Sequence, residues 1–469
     1  MSGASMLVKN ADIGHRSTLD VRIDGGLITE LGPALDRSDL DVLDAAGGAV
    51  IPGLTDHHLH LHALAAATSS IRCGPPHVRT AEDLAVALSR ATPDDTGWIR
   101  GVGYIETVAG ELDRQGLDHL HSRHPVRIQH RSGAFWILNT VAGGAAGLAT
   151  AHHPGIERLP GGQPTGRVWR ADTWLRSRLP DSAPPNLREI GRHLSRYGLT
   201  SVTDATPDLA NQSLRSIDDA VVSGDIRQNI CLLGAPLEFT PVRSGQHERL
   251  TYGPYKIVIA DSALPDLGEL EALIESVHRT GRAVAVHSVS IPALVLLLAA
   301  FDATGTVSGD RIEHASIVPD DCVPRLRQLG VRVVTQPGFI ADRGDDYLRD
   351  VDARDLPGLY RCRSLLDASV PVALSSDAPY GPLDPWTVIS AAVRRQTISG
   401  AVVGRGERLA ARAALDAYLA PAHDPGGPPR RIAVGEPADF VVLDAPLDDV
   451  LDCLSSELVV QTFIAGARV

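Results

Sequence analysis

Between residues 199 and 377 the sequence alternates short apolar runs with helical patterns, and this alternation constrains the fold more than any other feature. The runs are LTSVTDAT (199–206), QNICLLGA (228–235), YKIVIAD (255–261), AVAVHS (283–288), RIEHAS (311–316), VRVVTQ (331–336) and PVALSSD (371–377). Segments such as LGELEALIESVHRTG and VPRLRQLG lie between them. Strands separated by helices imply βαβ units and a parallel sheet. With one more strand at 51–58 the count is eight, that of an α/β fold of the (β/α)8 TIM-barrel type. The interval from the first strand to the second is about 140 residues, far too long for one crossover. It predicts an inserted α/β lobe at about 70–190, with the Pro-rich DSAPPNL (181–187) marking the return.

The two ends of the chain read differently. MLVKNADI and STLDVRIDGGLITELG alternate around a DGG turn, and RIAVGEPADFVVLD and LVVQTFIAGARV have the same character. Together they predict a small composite β-sandwich domain from residues 1–51 and 426–469, with the barrel at 52–425.

Composition narrows the function. A net charge of −13 disfavours nucleic acid and anionic membranes as partners. No run approaches the roughly 18 apolar residues of a membrane span, and the first residues lack a charged-then-apolar leader pattern. A cytoplasmic protein is expected. The five cysteines are odd in number and scattered without a CxxC, which argues against a disulfide framework or a cysteine zinc site. Of 44 basic residues only Lys9 and Lys256 are lysines. Arg stays charged, whereas a buried Lys can lose its proton and become a nucleophile. The Arg excess has an ordinary reading in codon bias, and a lysine kept inside the apolar run YKIVIAD raises the question of what Arg could not do there.

GLTDHHLHLHALA (53–65) places four histidines, His57, His58, His60 and His62, directly after Asp56. In a strand, alternate side chains share a face. Asp56, His58 and His60, with His62 if the strand runs on, then share one face, and His57, Leu59 and Leu61 take the other. Imidazoles two residues apart can reach one metal ion; the alternative is a set of partly buried structural histidines. Chemistry in such a barrel collects at the C-terminal ends of the strands. The other strand ends offer Lys256, His287, His314 and Asp377. Each has an ordinary reading alone: a core histidine, or a turn aspartate in SSDAPYG. Their joint placement at one mouth points to a site.

IPGLTDHHLH resembles the PGxxDxHxH signature of the amidohydrolase superfamily. YKIVIAD, AVAVHS, RIEHAS and ALSSDAP resemble its later metal and catalytic strands in the same order, and GEPADFVVLD resembles its C-terminal segment. The resemblance covers essentially the whole chain and is to the branch that includes N-substituted formamide deformylase. It implies two divalent metal ions, zinc by default. His58 and His60 would hold one with Asp377, and His287 and His314 the other, bridged by a carboxylated Lys256. It further implies a metal-bridging hydroxide attacking the carbonyl of a small-molecule amide-type C–N bond, with Asp377 as general base and then acid. Asp56 would orient the ligands, and a homodimer is expected from the family alone.

The chain departs from the branch in the lobe. Ala134 stands five residues before Asn139, where a histidine is usual, and PTGRVWRAD offers Arg167, Arg170 and Asp172 in place of a glutamate. Candidate substrate contacts are Arg131, Trp136, Asn139, Arg170 and Tyr380, against ordinary packing or surface roles for each. Deamination of an aminated heterocycle stays open as an alternative. So does ester, lactone or phosphotriester hydrolysis at the same site, and, remotely, a non-catalytic scaffold. Ser290 stands where a deaminase of this superfamily carries the glutamate of its HxxE.

Overall fold

The computed structural model describes residues 5–14, 18–36, 40–180, 185–238, 249–261 and 263–469. It forms two compact units, one of residues 1–61 and 186–469 and one of His62–Pro185. The lobe boundaries read from sequence, about 70–190, compare with the second unit. Part of the Pro-rich return (181–184) lies outside the described residues.

The first unit contains eight strands in chain order: β1 (Leu54–Leu59), β2 (Leu199–Asp204), β3 (Asn229–Leu232), β4 (Tyr255–Val258), β5 (Val284–Ser288), β6 (Arg311–His314), β7 (Arg332–Thr335) and β8 (Val372–Leu374). All their pairings are parallel. One ladder runs β1-β2-β3 and on to the short strand Leu250–Tyr252; the other runs β4 to β8. Pro254 has no N–H to give a ladder, so the break between Leu250–Tyr252 and β4 falls there. Backbone bonds continue across both gaps. Lys256 N–H donates to Leu233 O (3.1 Å), Asp377 N–H to His58 O (2.8 Å) and His60 N–H to Ala378 O (2.9 Å).

The strands bury apolar side chains on both faces, as parallel strands between helices must. Ile257, Val284, Val286, Ile312 and Val333 pack against Leu270, Ile274, Leu294, Leu297 and Phe301 of the helices Leu267–Arg279 and Ile291–Thr304. Asp266 caps the first of these helices through Gly268 N. Ser290 caps the second through Ala293 N, with Pro292 in its first turn.

The first strand differs from the sequence reading of 51–58. Val50–Pro52 pairs antiparallel with Phe440–Leu443, and β1 begins only at Leu54. The break is at Gly53, where a Cβ would lie 2.1 Å from the Thr200 side chain. Residues 51 and 52 therefore belong to a second architecture. The sheet Leu27–Gly32, Leu19–Asp24, Met6–Ala11, Asp41–Asp44 and the sheet Ala467–Arg468, Val459–Ile464, Phe440–Leu443, Val50–Pro52 share one apolar cluster. Its centre holds Val8, Ile23 and the stacked rings of Phe440 and Phe463, 4.5 Å apart.

The second unit is built on a six-stranded mixed sheet. Its order is Ile156–Arg158, Pro164–Trp169, Phe135–Leu138, Val126–His130, Ile99–Tyr104, Ile71–Arg72.

Candidate metal centre

β1 is buried throughout, and His60 lies just beyond its last residue, before the helix that starts at Leu61. His58 Nε2 is 3.5 Å and His60 Nε2 3.2 Å from Asp377 Oδ1. His314 Nδ1 is 3.8 Å from Asp377 Oδ2. His287 and His314 lie edge to face at 4.5 Å between ring centroids, and the His58 and His314 rings are tilted to each other at 4.8 Å. Lys256 is buried, with no hydrogen-bond partner for Nζ among the described residues. The four histidines, the lysine and the aspartate singled out from sequence thus gather at the strand ends. His62 lies on the helix Leu61–Thr68, off the strand. His57 is buried with both ring nitrogens unpartnered.

Burial favours the neutral form of His58, His314 and Lys256. It drives the His58 imidazole well below its ordinary value, helped by the charge of Lys256, and it lowers His314. It pushes the Lys256 ammonium down to about 8. For Asp377 burial opposes ionisation, but the bond from His60 and the charges of His58 and His314 hold its carboxyl below the usual range. His314 (φ +72°) and Asp377 (φ +54°) both adopt left-handed backbone, a conformation that costs on the order of 1–3 kcal/mol for a non-glycine residue and clusters at functional sites.

Three supporting residues, Glu313, Gln336 and Thr206, were not singled out from sequence. Glu313 is fully buried; one oxygen pairs with His58 Nδ1 and the other accepts from Arg311 Nε at 2.5 Å. Its contact fixes the His58 tautomer and leaves Nε2 directed at Asp377. Gln336 Oε1 contacts His314 Nδ1 at 2.9 Å, and Thr206 Oγ1 contacts His60 Nδ1 at 3.1 Å. Arg311 and Glu313 alternate with Ile312 in RIEHAS, so two charged residues on one face of a buried strand were the available signal. Asp56 Oδ1 accepts from the backbone N–H of His58 and of Ser376, both at 3.1 Å. It thereby ties β1 to the chain leaving β8. Burial raises its carboxyl to about 7.

The donor set fits a divalent cation. His58, His314 and Asp377 each offer an atom within 4.8 Å of the others. Imidazole nitrogens with a carboxylate are ligands suited to zinc and its neighbours. Lys256 Nζ is a buried polar atom without a hydrogen bond among the described residues, which a folded protein rarely tolerates without a partner, and His58 Nε2 faces Asp377 Oδ1 only at 3.5 Å.

The lobe candidates fall differently. Asn139 was a candidate substrate contact. Instead its amide is fully occupied: Oδ1 accepts from Val126 N and Ala142 N, and Nδ2 donates to His121 O and His124 O. It is an internal bracket that also caps the helix Thr140–Ala145. Trp136 is buried, donates to Asp172 Oδ1 (2.8 Å) and lies between Arg100 and Arg127. Arg131 is half-buried and Arg170 exposed. Tyr380 stands edge to face with His60 at 5.5 Å. Asn139→Ala is expected to destabilise the lobe by about 3 kcal/mol, through a lost cap and stranded backbone groups. Denaturant unfolding followed by tryptophan fluorescence reads this, because Trp98, Trp136, Trp169 and Trp174 all lie in the lobe. An unchanged midpoint with a raised KM would return Asn139 to the substrate.

The strand-end imidazoles and carboxylate on parallel α/β strands define a TIM-barrel-type protein with a metal-binding group. The chain belongs to the amidohydrolase family, whose model matches residues 41–469. It is a hydrolase acting on carbon–nitrogen bonds other than peptide bonds. It is 27% identical to the N-substituted formamide deformylase of Arthrobacter pascens, over 98% of this chain and 96% of the relative. Among solved structures it is similar to an uncharacterized metal-dependent hydrolase from Pyrococcus horikoshii, with a TM-score of 0.72 at 21% identity over 95% and 97% of the two chains. It is also similar to the N-isopropylammelide isopropylaminohydrolase of Burkholderia multivorans, with a TM-score of 0.54 at 17% identity over 99% and 98%. No described helix is long and apolar enough to cross a membrane.

Proposed function

We propose that the chain hydrolyses a small-molecule amide through a binuclear centre at the ends of β1, β4, β5, β6 and β8. The eight strands are read as one closed barrel, and the two terminal sheets as a composite sandwich domain beside it. The observation that carries the functional reading is the convergence of His58, His60 and His314 on the Asp377 carboxylate, beside a buried Lys256 Nζ that makes no hydrogen bond among the described residues. His58, His60 and Asp377 would hold one metal, zinc by ligand type, and His287 and His314 the second. The Lys256 amine would bridge them as a carbamate. Its neutral nitrogen adds to the carbon of carbon dioxide, an N–C bond forms and one proton is released. Bound divalent metals supply Lewis acidity and bring the pKa of water toward about 7. Asp377 accepts the proton of the attacking water on a carboxylate oxygen and returns it to the departing amine nitrogen. His60 and His58 hold that carboxylate in place, and Glu313 holds His58.

The amide class is proposed without restriction to formamides, because Ala134 and the segment PTGRVWRAD depart from the branch in the lobe. Nothing in the structure favours the deaminase alternative: Ser290 caps a helix and donates to Asp261 Oδ1 at 2.6 Å. A cytoplasmic location is proposed on the five cysteines, all free. A homodimer and the absence of nucleic-acid and membrane partners are carried forward from the family and the net charge.

The test is a panel of amides, carbamates, lactones, phosphotriesters and aminated heterocycles with metal-replete protein. Turnover of amides is expected; ammonia release from the heterocycles alone would replace this reading with deamination. Glu313→Gln is expected to weaken metal binding about 10- to 100-fold, measured by competition with a chromogenic chelator. Wild-type affinity would show that its contact with His58 does not set the ligand.

A further inference from the structure

The lobe holds a second group of side chains with the geometry of a nucleophilic site, and the metal chemistry does not use it. The strands Val126–His130 and Phe135–Leu138 pair antiparallel and are joined by the loop 131–134. His130 ends the first strand. Its ring stacks on Phe135 across the hairpin, with centroids 4.7 Å apart and planes at 14°, and Phe135 stacks in turn on Trp169 at 4.1 Å. The stack holds the plane of the imidazole. On the other side, Ile99–Tyr104 runs parallel to Val126–His130, with Tyr104 opposite His130. The helix Glu106–Ala109 starts two residues after Tyr104, which brings Glu106 Oε2 to 3.2 Å from His130 Nε2. Ser132 Oγ lies 2.6 Å from His130 Nδ1. A hydroxyl, a base within hydrogen-bond reach and a third group that orients the base are the parts an activated serine requires.

The loop backbone fixes where the ring proton sits. Ser132 N–H donates to His130 Nδ1 at 3.2 Å, so Nδ1 is the acceptor nitrogen and Nε2 carries the hydrogen given to Glu106. Ser132 Oγ–H then donates to the basic nitrogen, as a serine nucleophile must. Ser132 is exposed and His130 half-buried, so the hydroxyl is open to solutes. The same loop limits the chemistry. The N–H groups of Ser132, Gly133 and Ala134 are already given to His130 Nδ1, His130 O (2.9 Å) and Ser132 Oγ (3.2 Å). None of the three is left for a tetrahedral oxyanion, whose stabilisation is usually the largest single catalytic contribution. Such a serine suits substrates whose leaving group departs without that help.

We propose that Ser132 is a second, metal-independent nucleophile of this chain, which takes acyl groups from activated esters such as aryl esters. His130 is its general base and Glu106 the positioning residue. Ser132 Oγ bonds to the ester carbonyl carbon as its proton passes to His130 Nδ1. The bond from that carbon to the aryloxy oxygen breaks, and the phenol leaves with the proton. Water then cleaves the acyl-serine by the same base, releasing the carboxylic acid and restoring the Ser132 hydroxyl. This site is independent of the metal-centre reading.

The test uses the full-length protein with a metal chelator present, so that no metal-bound hydroxide contributes. An alkyl fluorophosphonate, which bonds to an activated serine through phosphorus and expels fluoride, is mapped by peptide mass spectrometry. Turnover of 4-nitrophenyl acetate is followed by absorbance. The wild type is expected to carry the phosphonyl group on Ser132 and to turn over the ester about 100-fold faster than Ser132→Ala or His130→Gln. Glu106→Ala is expected to be slower by about fivefold, the order for an exposed charged partner, and Glu106→Gln, whose amide oxygen can still accept from Nε2, to recover most of the rate. Labelling elsewhere or not at all, turnover abolished by the chelator, or Ser132→Ala with the wild-type rate overturns the nucleophile. Folded His130→Gln with the wild-type rate overturns the base, and Glu106→Ala with the wild-type rate overturns the positioning role. If His130→Gln does not fold, the map of the wild type decides: the label on Ser132 supports the site, and its absence there overturns it.

Discussion

Lys256→Arg is expected to fold, to hold at most one metal per chain and to lose activity by about 10³-fold or more, since bound metal supplies several kcal/mol of transition-state stabilisation. The expectation follows from what each side chain can do at this position. Lys256 is buried on β4 with its amine unpartnered, and burial pushes its ammonium down to about 8. A neutral amine can add to carbon dioxide and present two oxygens to a pair of metals. A guanidinium does not deprotonate in proteins and would place a permanent positive charge where a cation should sit. The fold should survive, because no described hydrogen bond of the Lys256 side chain is lost and overpacking of one position costs about 1–3 kcal/mol. Elemental analysis and thermal unfolding of the purified variant, beside its turnover, make the comparison. An active Lys256→Arg protein with full metal content would contradict the carbamate.

Asp377→Asn is expected to keep metal and substrate binding and to lower kcat by about 10²- to 10⁴-fold, the range for removal of a general acid–base group. The substitution keeps the shape of the side chain and removes its capacity to hold a proton in transit. His58, His60 and His314 all face the Asp377 carboxylate. The expected signature is a large fall in kcat with little change in KM. Wild-type turnover would remove Asp377 from the proton path. A loss of metal without residual turnover would assign it to ligation alone.

The parallel strands were legible because each is a short, largely buried apolar run and most are separated from the next by a helix. Lys256 was legible through composition: in a chain that writes nearly every cation as Arg, one lysine inside an apolar strand stands out. The start of β1 was not legible. The Pro52–Gly53 pair was the available signal in the stretch 51–58, and the close approach of Thr200 to Gly53 marks where it divides between two sheets. Glu313 escaped notice because its role depends on a partner 255 residues away. Asn139 was placed with the substrate because its position in the branch pattern suggested it, whereas its four hydrogen bonds are made within the lobe. His314 shows the limit of strand alternation. At φ +72° it leaves the strand geometry, so its neighbours' faces do not fix its direction.

Metal content per chain tests the binuclear centre most directly. The protein would be purified without a histidine tag, in the presence of bicarbonate, and analysed by elemental methods. Two equivalents of a divalent metal are expected, with activity lost on chelation and restored on adding the metal back. One equivalent in fully active protein would contradict a bridging Lys256, and none after metal is supplied would contradict the metal-dependent mechanism altogether.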